Sequence, residues 1–226
     1  MLTLLTRIFI KDRENYSNAR VRSAYVMLCG FFGIFLNILL FVFKYMAGIL
    51  SGSIAITADA FNNLTDASAS VITLLGFRLA AAAPDAGHPF GHGRIEYLSG
   101  AIVSVIIVVV GFELGRNAVA QIISPTPIDT GLLPMGILAM SILVKFYMFA
   151  YNRSIGGKIN SPGMLATAKD SISDFAATTV VLLSMLAARL FDVNVDGWSG
   201  LAVACFIAYS GFTALRDTLN PLLGNP

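Results

Sequence analysis

Four side chains in this sequence stand where polar chemistry is costly. Asn62 and Asp66 interrupt one long apolar run, and Asp170 and Asp174 interrupt another. A spacing of four puts the members of each pair on one helix face, one turn apart. If two such helices face each other, three carboxylates and one amide oxygen converge. Anions crowded in a low dielectric cannot all stay ionised without a cation or protons among them. A divalent metal is the simplest occupant, and proton uptake is the answer to its departure. The structural alternative is a helix-helix network of protonated acids and amides. Three acids plus an amide on matched one-turn spacings favour the cation.

A charge near the centre of a bilayer costs roughly 3 kcal/mol or more, so each acid needs a compensating partner. Lys44 sits toward the outer end of its run and Lys145 toward the inner end of its own, so neither is expected to supply the counter-charge. Asp59, near the outer end of the second run, is read either as lining an outer opening or as sitting at a helix N-terminus. Both histidines fall in one loop, where Asp85, His88 and His92 form D-x-x-H-x-x-x-H. Two histidines four apart plus a carboxylate make an open three-ligand site. The alternative is a loop shaped by Gly87, Gly91 and Gly93. Such a site is accessory, because a loop in water cannot provide alternating access. Glu113, Arg116 and Asn117 are expected to pair locally, and Asn37 and Lys44 to hydrogen-bond to neighbours or snorkel.

The elements that must position these residues follow from composition. The chain has 226 residues, 56% hydrophobic and only 12% charged. A soluble domain carries about a quarter charged residues, so too few are present here to cover a water-facing surface. A formal net charge of +2 gives no reason to expect a nucleic-acid partner. A bilayer-spanning helix needs ~20 apolar residues, and six such runs are visible, at 24–50, 53–80, 96–122, 131–153, 163–190 and 198–218. The expected fold is therefore an all-α membrane protein of six transmembrane helices, embedded in a lipid bilayer. Arg7, Lys11, Arg13, Arg20, Arg22, Arg78, Arg94, Arg153, Lys158, Lys169 and Arg216 fall on one side, and Arg116 and Arg189 on the other. The positive-inside rule then makes both termini cytoplasmic. Residues 1–23 are a cytoplasmic N-terminal segment, with Met1 to Ile10 read as an interfacial helix rather than a cleavable signal. Residues 24–218 are the six-helix domain and 219–226 a cytoplasmic tail. Cys29 and Cys205 lie in apolar runs and are read as inert packing thiols.

An internal echo links the second and fifth runs. Ala58, Ala60, Asp66, Ala69, Leu74 and Leu75 match Ala166, Ala168, Asp174, Ala177, Leu182 and Leu183 at a constant offset. The two runs cross in opposite directions, as an inverted repeat of three plus three helices requires.

Several motifs are familiar together. Gly48 to Asp66, GILSGSIAITADAFNNLTD, resembles the second-helix signature of the cation diffusion facilitator family. HPFGHGRIE, from His88 to Glu96, resembles that family's first cytoplasmic loop, which binds zinc in some members. ISPTP (Ile123 to Pro127) and the pattern around Lys145 and the fifth helix extend the resemblance from the first span to the sixth. It implies a cation-efflux transmembrane domain that exports divalent transition metals from the cytoplasm in exchange for protons. It also implies a homodimer in the cell membrane, the inner membrane in bacteria. The transport site it implies is Asn62, Asp66, Asp170 and Asp174. Zinc members carry His or Asp where Asn62 and Asp170 stand. The departure resembles the manganese branch, with Asn-x-x-x-Asp and Asp-x-x-x-Asp. Ligand chemistry agrees, since carboxylate and carbonyl oxygens suit Mn²⁺ where imidazole suits zinc. Zn²⁺ still outranks Mn²⁺ in general affinity, so Zn²⁺ or Fe²⁺ is the alternative cargo. Members of the family continue past the sixth helix into a cytoplasmic metal-binding domain, which would begin about where residues 219–226 stand.

The expected protein is thus a cation/proton antiporter, not an enzyme, with no cofactor beyond the ion it carries. An intramembrane aspartyl protease also sets acids on facing helices, but the Gly-x-Gly-Asp pattern is missing before Asp170 and Asp174. A passive channel or a non-transporting membrane subunit is the remaining rival.

Overall fold

The computed structural model describes Thr6, Ile10, Tyr16 and residues 18–80, 93–191 and 194–222. Among the described residues there are six long helices: α1 (Ala19–Ser51), α2 (Ile54–Ala80), α3 (Gly93–Ile123), α4 (Leu132–Lys158), α5 (Pro162–Phe191) and α6 (Asp196–Leu222). Local chemistry sets their ends. The Asn18 side chain accepts from the Arg20 backbone N–H at 2.9 Å and starts α1 five residues before the apolar run does. Gly52, at φ 68°, ends α1 in the left-handed conformation that glycine adopts without penalty. Pro162 opens α5, where a missing N–H costs nothing. The preceding turn passes through Asn160 at φ 49°.

α2 has an unusual N-terminus. The Ser53 hydroxyl accepts from the Ile56 N–H at 3.1 Å and donates to Asp196 Oδ1 at 2.5 Å. Asp196, at the start of α6, also accepts from the Ile54 and Ala55 N–H groups through Oδ2, at 2.8 and 3.5 Å. A carboxylate from another helix thus satisfies the orphan donors at this end and complements its partial positive charge. The contact fixes α2 axially against α6.

Three helix pairs make up the bundle: α1 with α2, α4 with α5, and α3 with α6, the last the most extensive. Small residues let α3 and α6 approach closely. A side chain at Gly111 would place its Cβ 2.8 Å from the Ala208 backbone nitrogen. α2 packs on α1, α3, α5 and α6 and so runs through the interior. Ala55, Ile56, Ala58, Asp59, Ala60, Asn62 and Asn63 are all buried on it.

Among the described residues five helices are long and apolar enough to cross a membrane, and α2 is not one of them. The expectation of six spans is met by apolar composition at five positions. α2 carries Asp59, Asn62, Asn63 and Asp66, and its neighbours shield these polar groups. Large apolar side chains point outward from the bundle: Phe31, Phe35 and Ile49 on α1, Val109 and Phe112 on α3, Leu143 on α4. That is the surface a lipid-facing protein needs.

The interior is divided into layers. One apolar cluster gathers Ala47, Ile56, Leu138, Val181, Met185 and Ile207. A second gathers Tyr25, Cys29, Phe32, Met148, Tyr151, Ile159 and Met164, with Ile10 packed into it. Along α1 (Phe32 to Ala47), α4 (Leu138 to Met148) and α5 (Met164 to Val181), the buried polar residues Asn37, Lys44, Ser141, Lys145, Ser171, Asp174 and Thr178 fall between the two. Of the predicted interfacial helix only Thr6 and Ile10 are described, and both are buried.

Candidate metal site

The polar layer holds the residues singled out by spacing. α2 and α5 pack against each other in the interior. One carboxylate oxygen each from Asp66, Asp170 and Asp174 lies within 4.8 Å of the others. Three oxygens spread evenly around one ion with bonds of about 2.2 Å stand about 3.8 Å apart, so the carboxylates would close by up to about 1 Å to bind one ion together. Asn62, one turn from Asp66, donates from Nδ2 to Asp174 Oδ1 at 2.6 Å. To offer its oxygen to an ion, this amide must turn over. The four residues form a graded well. Asp170 is exposed, Asp66 is largely covered, and Asn62 and Asp174 are buried.

The lysines overturn one expectation. Lys145 was placed away from the acids, yet its Nζ donates to Asp66 Oδ2 at 2.9 Å and to Asp174 Oδ2 at 2.5 Å. It also donates to Asn37 Oδ1 at 2.8 Å. The side chain is 1% exposed. Depth was not the obstacle, since Lys145 stands eight residues from the inner end of its run and Asp170 and Asp174 seven and eleven from the inner end of theirs; the packing of α4 turns the lysine toward them. A lysine in the middle of an apolar helix is itself a signal that a partner waits across the interface.

Asp59 is a second correction. It neither lines an opening nor caps a helix end. It is 1% exposed, with Lys44 Nζ 2.8 Å from its Oδ2. Lys44 also donates to Thr178 Oγ1 at 2.9 Å, and Thr178 donates to Asp59 Oδ1 at 3.1 Å. Lys44, Asp59 and Thr178 join α1, α2 and α5 in a closed triangle of buried groups, on the α1–α2 turn side of the carboxylates. Lys44 does not snorkel. The local pair of Glu113 and Arg116 is present, at 2.5 Å and well exposed. Cys29 and Cys205 are free thiols, the first buried and the second exposed. Asp85, His88 and His92 lie outside the described residues.

Hard oxygen donors near enough for one ion to draw together, with an exposed acid at one end, have the chemistry to take a divalent cation from water. Four acids against two lysines also leave two negative charges to balance if all are ionised.

Residues 30–223 match the cation efflux transmembrane domain. The chain is 31% identical over 188 residues to an uncharacterized transporter of Methanocaldococcus jannaschii, covering 83% of this chain and 66% of that protein. It is 26% identical to the magnetosome protein MamB of Magnetospirillum gryphiswaldense, covering 83% and 63%. It is 28% identical to the manganese efflux system protein MneS of Bacillus subtilis, covering 79% and 62%. The chain thus spans a little under two thirds of the length of these relatives. A family match over most of the chain and five apolar helices of spanning length lead to one conclusion: this is a multi-pass membrane protein that belongs to the cation diffusion facilitator family.

Proposed function

We propose that the chain is the membrane-embedded transport unit of a proton-coupled divalent cation exporter with Mn²⁺ as its preferred cargo. The observation that carries this reading is the convergence of three carboxylates from two facing helices within 4.8 Å. Asn62, Asp66, Asp170 and Asp174 hold the ion. The all-oxygen donor set favours a hard ion over one that prefers imidazole, and a relative named for manganese efflux supports the same cargo.

In this reading all six helices span the cell membrane, the inner membrane in bacteria, and both termini are cytoplasmic. Asp170 then lies on the cytoplasmic side of Asp174, and the exposed end of the well faces the cytoplasm. Lys44, Asp59 and Thr178 close the outward side. An ion enters past Asp170 and settles against Asp66, Asp174 and Asn62. The bundle rocks so that the well opens outward, protons from that side take the carboxylate oxygens, and the ion leaves. One oxygen lone pair holds an ion or a proton but not both, which couples the flows. Asn62 adds a ligand without adding a proton site. A second copy of the chain completes a homodimer.

The deciding measurement is flux in reconstituted vesicles across Mn²⁺, Fe²⁺, Zn²⁺, Co²⁺ and Cd²⁺, with and without a pH gradient. Saturable Mn²⁺ flux that collapses with the gradient is expected. Flux that does not saturate identifies a channel, and a zinc or iron preference reassigns the cargo.

A further inference from the structure

An ammonium group already occupies the position from which the deep carboxylates would be ligated. Lys145 Nζ makes three hydrogen bonds to three helices: Asn37 on α1, Asp66 on α2 and Asp174 on α5. An ammonium has three donors, so all of its capacity is engaged. Both oxygens of Asp174 are engaged as well, Oδ2 by Lys145 and Oδ1 by the Asn62 amide. A cation about 2.2 Å from Asp174 Oδ2 would share that oxygen with a positive head 2.5 Å away. Like charges that close in a dry interior repel strongly. Ion and ammonium therefore exclude each other.

The three acceptors of Lys145 are not equivalent. Two are carboxylates of the proposed cargo set. The third, Asn37, is a neutral amide outside that set, 3% exposed. It is the acceptor that stays available when the carboxylates are taken. Lys44, the other buried lysine, has no such overlap, because its acceptors Asp59 and Thr178 belong to neither pair.

We propose that Lys145 is a tethered cation that competes with the transported ion for Asp66 and Asp174, and that Asn37 holds its ammonium while the ion is bound. The proposal rests on the transport reading and names a regulator of that same site. Lys145 keeps its charge throughout and only changes place. After the ion leaves, the ammonium pairs with the carboxylate that stays ionised while protons take the others, so the unloaded carrier does not reorient with a bare carboxylate. Its competition also weakens binding to a level from which the ion can be released.

The test uses Mn²⁺ binding to purified wild-type, Lys145→Met and Asn37→Leu proteins, with net efflux and Mn²⁺–Mn²⁺ exchange in vesicles. Lys145→Met removes the competitor and should tighten binding by about tenfold or more, while slowing net efflux far more than exchange, which never passes through the unloaded carrier. Asn37→Leu removes the resting place and should weaken binding severalfold. A merely structural role would move both variants in the same direction. Unchanged affinity in Lys145→Met, or equal loss of exchange and net efflux, overturns the proposal. If the methionine variant does not fold, Asn37→Leu decides alone, and unchanged or tighter binding there overturns it. Failure of the underlying transport reading looks different: wild-type protein that binds no divalent ion sinks both.

Discussion

The same two residue types build two different things in this interior. Lys44, Asp59 and Thr178 make a sealed triangle in which one ammonium meets one carboxylate and a hydroxyl joins them. Lys145, Asp66, Asp170 and Asp174 make a cluster in which one ammonium faces three carboxylates, and one of these is exposed. The first is balanced and closed to water. The second has an excess of negative charge and a way in. A buried ion pair by itself is therefore no mark of function here. Unbalanced carboxylates with access are what single out the open cluster, rather than the closed triangle, as the candidate cation site.

The sharpest way to break this contrast is Asp174→Asn, which lowers the charge of the open cluster at its most buried point. Metal-dependent flux should fall to background while the thermal transition in detergent barely moves, because Lys145 keeps Asp66 as a partner. Full activity would remove Asp174 from the site. Next in size is Lys44→Met in the sealed triangle, which leaves Asp59 charged and unpaired. It should cost about 3–5 kcal/mol of stability, read by thermal unfolding. Lys44→Met with Asp59→Leu should recover most of that, and no recovery would mean that the triangle does more than pair charges. Asp170→His keeps the open cluster but softens a donor. Zinc flux should rise relative to manganese, and an unchanged ratio would count against the hard-ligand argument. Smallest is Glu113→Ala, which breaks an exposed pair on α3. Screened by water, it should change stability by less than about 1 kcal/mol and leave flux alone.

Much of this was legible before any coordinates. Membrane embedding followed from the charge-poor composition, because a chain with so few polar residues cannot cover a watery surface. The paired spacings Asn62/Asp66 and Asp170/Asp174 placed four donors on two helix faces, and the structure brings those faces together. Helix ends were less legible. Apolar runs report only the part in lipid, whereas α1 and α4 extend into the polar region on caps and backbone bonding that hydropathy does not register. The partner of Lys145 was not legible either, because its depth matches that of Asp170 and Asp174 on the apolar runs and only the rotation of α4 aims it at α2 and α5. The Asp196 cap on α2 was equally invisible, since it joins residues more than 140 positions apart.

The sequence by itself determined the chemistry on offer: hard oxygen donors at one-turn spacing, in helices too apolar to live in water. Tertiary structure alone decided which lysine answers which acid. Every residue advances a helix by about 1.5 Å and turns it by a hundred degrees, so small differences in end position and rotation choose the partner. Those differences are set where six helices settle against one another and cannot be read from any one of them.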